Sequence, residues 1–141
     1  MIYILQNAVP ILLATVASFA FGAAWYMALS KPWMRASGVT ETQAKAGGPW
    51  PFVIAFAAEA WMASILAGAL ILAPVEAGVW TVALGTAFIL WIGFVFPVLV
   101  VNHRYQGAPW SLTLIDGGHW LGVLWVQALV LRAVGVEAPT A

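Results

Sequence analysis

The chain alternates between four long apolar segments and shorter polar ones. The apolar segments cover about residues 8–29, 52–73, 79–101 and 110–134. Each is close to the roughly 20 residues that a helix needs to cross the hydrocarbon core of a bilayer. The pattern therefore predicts an all-α integral membrane protein. Residues 1–141 would form one domain, a bundle of four transmembrane helices.

The polar connections differ in length. Pro74 and Gly78 bracket a short turn between the second and third segments, and "NHRYQGAP" at 102–109 is interpreted as the loop between the third and fourth. Residues 30–50 form the one long polar stretch. Within it, "TETQ" at 40–43 matches a capping box, in which a threonine and a glutamine three residues later satisfy the first amides of a helix. We expect a short interfacial helix in this loop.

Two features predict how the helices are shaped and packed. Pro97 lies inside the third segment and has no amide to donate to the carbonyl of Gly93, which predicts a kink. Small residues recur at four-residue spacing, which lets helix backbones approach closely in a membrane. These stripes are Ala14, Ser18 and Gly22; Ala60, Ser64 and Gly68; and Gly118 and Gly122.

Composition narrows the class of protein further. Hydrophobic residues make up 64% of the chain and charged residues 7%, whereas a soluble domain carries about a quarter charged residues. The net charge of zero gives no reason to expect a nucleic-acid partner. There is no cysteine, and the two histidines lie at different depths, so we predict no metal site, no cofactor and no catalytic residue. An enzyme is the least favoured class.

The basic residues predict an orientation. Lys31, Arg35 and Lys45 lie between the first two segments and Arg104 between the last two, whereas Arg132 alone lies on the other side. By the positive-inside rule, the first group faces the cytoplasm and both termini face outward. A cleaved signal peptide is the less favoured alternative for the first segment, because no basic region precedes it.

Four polar residues in the apolar segments are candidates for a site. At the helical rise, Glu59 lies roughly 12 Å, His119 roughly 13 Å and Asp116 roughly 9 Å from the predicted inner rim. In the fourth segment Asp116, His119 and Gln127 share an arc of roughly 120° together with Thr113 and Trp120. A polar stripe points at protein or water rather than at lipid. We therefore expect Glu59 to face the polar stripe of the fourth helix.

Two interpretations of this group stay open. Ionisable residues inside a membrane mark proton or ion pathways, which favours a proton relay or a gate for a small polar solute. Alternatively, the same groups form a closed hydrogen-bonded contact that fixes the register of the helices. Asp116 also fits a purely structural role, because a carboxylate is stabilised by the positive end of a helix dipole.

A second candidate group follows the third segment. Asn102, His103, Arg104 and Tyr105 place an amide, an imidazole, a guanidinium and a phenol at the predicted cytoplasmic mouth. They fit recognition of an anionic headgroup or substrate. The favoured interpretation is that they are ordinary anchors at the membrane interface, where such side chains are common.

Several motifs together resemble a known family. They are "FGAAWY" at 21–26, "SKPWMRASGVT" at 30–40, Asn7, "WIGF" at 91–94, Asn102, "YQG" at 105–107 and "LIDGGHW" at 114–120. In this order they resemble the bacterial family called domain of unknown function 1761, over nearly the whole chain. The resemblance implies a small four-span membrane protein, and the family's name assigns no activity.

These observations lead to a bacterial inner-membrane protein in contact with the lipid bilayer. The first functional hypothesis is a transporter or channel subunit for protons, or for a small solute coupled to them, with a polar cavity around Glu59, Asp116, His119 and Gln127. Four short helices enclose little volume, so we expect a homo-oligomer. The alternative is a non-transporting accessory subunit whose buried polar groups only specify packing.

Overall fold

The computed structural model describes residues 2–74 and 76–139. Over these residues the protein is helical and contains no strand. The elements are α1 (Ile2–Gln6), α2 (Ala8–Ala28), α3 (Ser30–Ser37), α4 (Glu41–Ala46), α5 (Trp50–Leu72), α6 (Val79–Leu90), a π-helical segment (Trp91–Val95), α7 (Phe96–Tyr105) and α8 (Trp110–Val134).

Four helices are long and apolar enough to cross a membrane, which confirms the predicted fold class. They are α2, α5, α8 and one continuous helix of 27 residues, Val79–Tyr105, that combines α6, the π segment and α7. We call them the first to fourth spans in chain order, so the continuous helix is the third. The third span ends at Tyr105 instead of near residue 101. Residues 102–105 therefore form its last helical turn, and their interpretation as a loop was wrong.

The two ends of the bundle carry different charges. The end that holds α3, α4 and the turn before α8 has Lys31, Arg35, Lys45 and Arg104 against two acids, Glu41 and Asp116. We call it the basic end. The opposite end holds α1 and the segment after α8. There the buried side chain of Asn7 donates to the carbonyl of Glu137 and accepts from its amide, at 2.9 and 2.8 Å.

The helices pack through small side chains and present large ones to the outside. α8 lies against α2, α5 and α6, and α2 and α8 share the most extensive contact. Among the fully buried residues are six alanines: Ala14, Ala63, Ala67, Ala83, Ala87 and Ala128. Leucine, isoleucine and phenylalanine side chains are exposed in large number, as at Leu12, Ile54 and Phe94. This arrangement suits a bilayer, because lipid solvates large apolar groups and leaves close packing to hold helices together.

The third span widens where the sequence predicts a kink. Pro97 gives the carbonyl of Gly93 no amide, and the turn before it is π-helical, with the amide of Phe96 donating to the carbonyl of Trp91. This turn carries the rings of Trp91 and Phe96, which stack at 4.8 Å and reach α8. There the Trp91 indole donates to the carbonyl of Gly117 at 2.8 Å.

The long polar loop is more helical than the sequence analysis expected. α4 has the predicted capping box, since Thr40 and Gln43 hydrogen-bond to each other's backbone amide. α3, directly before it, was not anticipated. It ends at Gly38, whose φ of 72° lies in the left-handed region that favours glycine. α3 packs against α8 at the basic end.

The close approach of α2 and α8 is testable at Gly122. A Cβ at this position would collide with the ring of Phe21. We expect Gly122→Ala to lower the free energy of unfolding by about 1–3 kcal/mol, because the ring or the helix must shift. Thermal unfolding in detergent measures the change.

Gly85→Ala is the matched control, since Gly85 is also inside a membrane-spanning helix but a Cβ added there would meet no atom within 4 Å. There we expect no loss, or a gain of up to about 1 kcal/mol from higher helix propensity. Equal effects at both positions would show that α2 and α8 do not meet at Phe21.

Candidate functional site

Glu59 is a buried carboxylate in the middle of α5. Its side chain is 2% exposed, and its Oε2 accepts a hydrogen bond of 2.5 Å from the hydroxyl of Ser18 on α2. Within residues 2–74 and 76–139, no lysine or arginine forms an ion pair with it. Its one side-chain hydrogen bond therefore comes from a neutral hydroxyl. Ser18 belongs to the predicted small-residue stripe of α2, which lets α5 come this close.

Gln127 of α8 joins the same contact. Its Nε2 donates to the hydroxyl oxygen of Ser18 at 3.1 Å and to the backbone carbonyl of Glu59 at 3.0 Å. The Ser18 hydroxyl thus accepts from α8, and its single proton has two acceptors, Glu59 on α5 and, at 3.1 Å, the carbonyl of Thr15 in its own helix. We call Ser18, Glu59 and Gln127 the three-helix junction, because each comes from a different span.

His119 approaches the junction across a glycine. A Cβ built on Gly22 would lie 2.7 Å from Nε2 of His119 and 3.8 Å from Oε1 of Glu59. Both atoms are thus close to one point, and the sum of these distances, 6.5 Å, is the upper limit of their separation. The imidazole has room only because residue 22 has no side chain. Glu59 of α5 and the imidazole of α8 therefore approach each other, as expected, with Gly22 of α2 beside both side chains.

Two polar atoms next to Glu59 lack partners. Nδ1 of His119 and Oε1 of Gln127 are buried and have no hydrogen bond within the described part of the chain. Buried polar atoms are nearly always hydrogen-bonded, since an unmade bond costs about 1–3 kcal/mol. Within the described part of the chain, protein groups alone therefore do not satisfy every polar atom of this centre.

Tyr26 connects His119 to the basic end. Its ring packs against the imidazole with centroids 4.7 Å apart, and its hydroxyl donates to Oδ1 of Asp116 at 2.8 Å. The same oxygen accepts from the indole of Trp33 on α3 at 3.1 Å. Asp116 thus links α3 to α8. Tyr26 contacts both His119 and Asp116.

Beyond Asp116 the polar groups continue to the basic end. Oδ2 of Asp116 lies 3.6 Å from Nε2 of His103, and Nδ1 of His103 lies 3.0 Å from the hydroxyl of Thr113. That hydroxyl oxygen also accepts from Arg104 at 3.0 Å. We call Asp116, His103, Thr113 and Arg104 the basic-end cluster. The guanidinium of Arg104 also lies over the ring of Trp110, 4.1 Å from its centroid.

Toward the opposite end the interior next to Glu59 is mostly aliphatic. The buried side chains there include Ile11, Leu66, Leu70 and Leu131. The buried Thr15 hydroxyl donates to the carbonyl of Ile11 in its own helix and is thereby occupied. A continuous series of polar and aromatic side chains therefore leads from Glu59 to the basic end, whereas aliphatic side chains close the other direction.

The structure rearranges the predicted site residues. The structure brings together Glu59, His119 and Gln127. Asp116 lies with His103 and Arg104 instead, so the two predicted groups are adjacent. The carboxylate of Glu59 was expected to pair with α8. It pairs with Ser18 of α2 instead, and α8 reaches only its backbone carbonyl. Asn102 and Tyr105 are exposed and contribute nothing to either cluster.

The sequence alone gave no polar role to three residues of the site: Ser18, Tyr26 and Trp33. Ser18 was noted only as a small residue, whereas Thr113 was already placed on the polar stripe of α8. The four-residue spacing of Ser18 and Gly22 was the available signal, because a hydroxyl on a closely packed stripe faces a neighbouring helix.

Four apolar helices around a buried polar centre define a multi-pass helical membrane protein. A family model described as Protein of unknown function (DUF1761) matches residues 9–132. The chain belongs to this family, as its motifs suggested. No curated protein and no solved structure shows a significant match. The function must therefore be argued from the site itself.

The three-helix junction is testable at Ser18. Ser18→Ala removes the donor to Glu59 and an acceptor of Gln127, leaving both more poorly satisfied. We expect the free energy of unfolding to fall by about 1–3 kcal/mol. Chemical denaturation in mixed micelles measures it.

Ser64→Ala is the control, because Ser64 is also buried but donates only to the carbonyl of Ala60 in its own helix, at 2.8 Å. It should cost less than about 1 kcal/mol. If Ser18→Ala costs no more than this, the hydroxyl of Ser18 does not support the junction.

Proposed function

We propose that this protein moves protons, or a small solute coupled to protons, across the membrane, with Glu59 as the group that carries the proton. The observation that supports this most strongly is the unsatisfied polar centre: a carboxylate without a cation lies beside an imidazole whose buried nitrogen has no hydrogen bond in the part of the chain that the structure describes. A contact that served only to fix packing would pair its buried polar atoms, since each unpaired one weakens the fold.

The chemistry of the neighbours fits proton transfer. A carboxyl and an imidazole are the two side chains most often used to accept and release protons near neutral pH. His119 and Glu59 are at most 6.5 Å apart, so a small rotation of either side chain brings them into hydrogen-bond distance. His119 is in ring contact with Tyr26, whose hydroxyl is bonded to Asp116, and Asp116 lies next to His103, a second imidazole at the basic end.

The direction of access follows from the same series. The series of polar and aromatic side chains leads from Glu59 to the basic end, whereas an aliphatic layer lies on the other side, which favours proton exchange with the basic end in this conformation. Lys31, Arg35, Lys45 and Arg104 mark the basic end as cytoplasmic under the positive-inside rule. Both termini then face outward from a bacterial inner membrane. Release on the outer side requires the aliphatic layer around Leu66 and Leu131 to open.

We further propose that the protein works as a homo-oligomer. Four helices packed through alanines leave little space for a path through one copy. In the third span, the residues that are buried are Ala83, Ala87 and His103. Apart from the side chains that pack against α8, such as Trp91 and Phe96, its surface faces outward and is available to lipid or to a second copy.

A specific observation favours one other function. The three-helix junction binds α2, α5 and α8 together through hydrogen bonds of 2.5–3.1 Å, as a register-fixing contact would. In that case the protein is an accessory subunit that transports nothing. The two proposals differ in the effect of neutralising Glu59.

Proton flux into proteoliposomes distinguishes them. Under an imposed pH gradient, with a pH-sensitive dye inside the vesicles, the wild-type protein should acidify the lumen faster than protein-free vesicles do. Glu59→Gln keeps the size and hydrogen bonding of the side chain but cannot carry a proton, so we expect the rate to fall at least about tenfold.

Ser64→Ala controls for a change in a buried polar group of the same helix and should keep the wild-type rate. Thermal unfolding of both variants checks that they are folded. If the wild-type protein gives no flux above empty vesicles and Glu59→Gln only lowers the unfolding temperature, the accessory role is correct and transport is refuted.

A further inference from the structure

The basic end carries cationic side chains that the polar site does not use. Lys31 and Arg35 of α3 form no ion pair in the described part of the chain, and both side chains are exposed. The acids of this end are engaged elsewhere: Glu41 pairs with Lys45 at 2.6 Å, and Asp116 accepts from Tyr26 and Trp33. The positive charge of Lys31 and Arg35 is therefore uncompensated.

These two cations stand beside surface hollows. One hollow of about 300 Å³ lies between α3 and the start of α8, and it is lined by Pro32, Arg35, Ala36, Pro109, Ser111 and Ile115. A second of about 400 Å³ is lined by Lys31, Met34 and Arg35. Arg35 lines both hollows, which we together call the α3 groove.

The α3 groove is held in place by Trp33. This residue, between the two cations in sequence, turns inward, donates to Asp116 at 3.1 Å and packs against the ring of Tyr26 at 5.9 Å. The helix stops at Gly38 with a left-handed residue. Lys31 and Arg35 are four residues apart and thus neighbours on one face of α3, where like charges repel. An anion between them would relieve this repulsion.

We propose that the α3 groove binds the phosphate group of an anionic lipid headgroup. Arg35, which lines both hollows, and Lys31, which lines the second, supply the charge that recognises a phosphate, and Ser111 in the first hollow supplies a hydroxyl donor. The other walls are apolar: Pro32, Ala36, Pro109 and Ile115 in the first hollow and Met34 in the second. Free phosphate would make no use of them, whereas a lipid places its glycerol and upper chain carbons next to its phosphate.

The location fits this occupant. The groove lies where α2 ends and α8 begins, which is the level at which a membrane-spanning helix passes from hydrocarbon into headgroups. Basic side chains next to the membrane attract anionic lipid with about 1 kcal/mol for each lysine or arginine, or about fivefold in affinity. The proposal is independent of proton transport, since it involves neither Glu59 nor His119.

Lipid titration of the purified protein tests the proposal. The full chain in a neutral detergent is titrated with phosphatidylglycerol, with phosphatidylcholine and with inorganic phosphate, and bound lipid is counted by native mass spectrometry. We expect phosphatidylglycerol to bind and to weaken with added salt. The double variant Lys31→Gln with Arg35→Gln should bind it about 25-fold more weakly, as two cations are lost.

Lys45→Gln is the matched control, because Lys45 belongs to the same loop but is already paired. Its ammonium lowers the pKa of Glu41 by hydrogen bonding and charge attraction, so Glu41 stays ionised at neutral pH. This variant should bind phosphatidylglycerol like the wild type. Wild-type affinity in the double variant, or equal binding of phosphatidylcholine, would overturn the proposal. So would displacement of the lipid by millimolar phosphate, which would identify a free-phosphate site.

Discussion

The hydrogen bond between Ser18 and Glu59 is the contact on which the rest of this bundle depends. A carboxylate in the middle of a membrane helix costs several kcal/mol unless protein surrounds it. α5 therefore has to turn Glu59 inward, and α2 has to come close enough for a serine to reach it. Gln127 of α8 completes the contact by donating to Ser18 and to the backbone of α5. One buried acid thus fixes the mutual rotation of three helices.

Small side chains make that contact geometrically possible. Gly22 leaves room for His119, Gly122 leaves room for Phe21, and alanines fill the interface on every span. The same close packing leaves few protein groups to bond with the polar centre. Within the described residues, Nδ1 of His119 and Oε1 of Gln127 have no hydrogen bond. Packing and incomplete satisfaction therefore have one origin. A fold held by close backbone contact has little room for the additional donors that a sealed polar core would need.

The sequence predicted the architecture well, because a membrane-spanning helix is recognised from its own long apolar run, without knowledge of the helices against which it packs. The depth of Glu59 and His119 also follows from helical rise alone, and the structure brings their side chains to within 6.5 Å of each other across Gly22. The identity of the partner did not follow. Which face of α2 meets α5 depends on the rotation of both helices, so Ser18 could not be chosen over the stripe on α8. Asp116 was assigned to the wrong group for a related reason. Its partner Trp33 lies on α3, and the hydrophobic periodicity of that polar segment does not show where α3 packs.

The most direct test of this account is a double-mutant cycle between Ser18 and Glu59. The free energy of unfolding is measured for Ser18→Ala, for Glu59→Met and for the double variant. In Glu59→Met an apolar side chain of similar length replaces the acid. If the two side chains hold the bundle together, the single effects will not add, and the coupling energy will be at least about 1 kcal/mol. Additivity within about 0.5 kcal/mol would contradict the account, because residues that do not interact behave in that way.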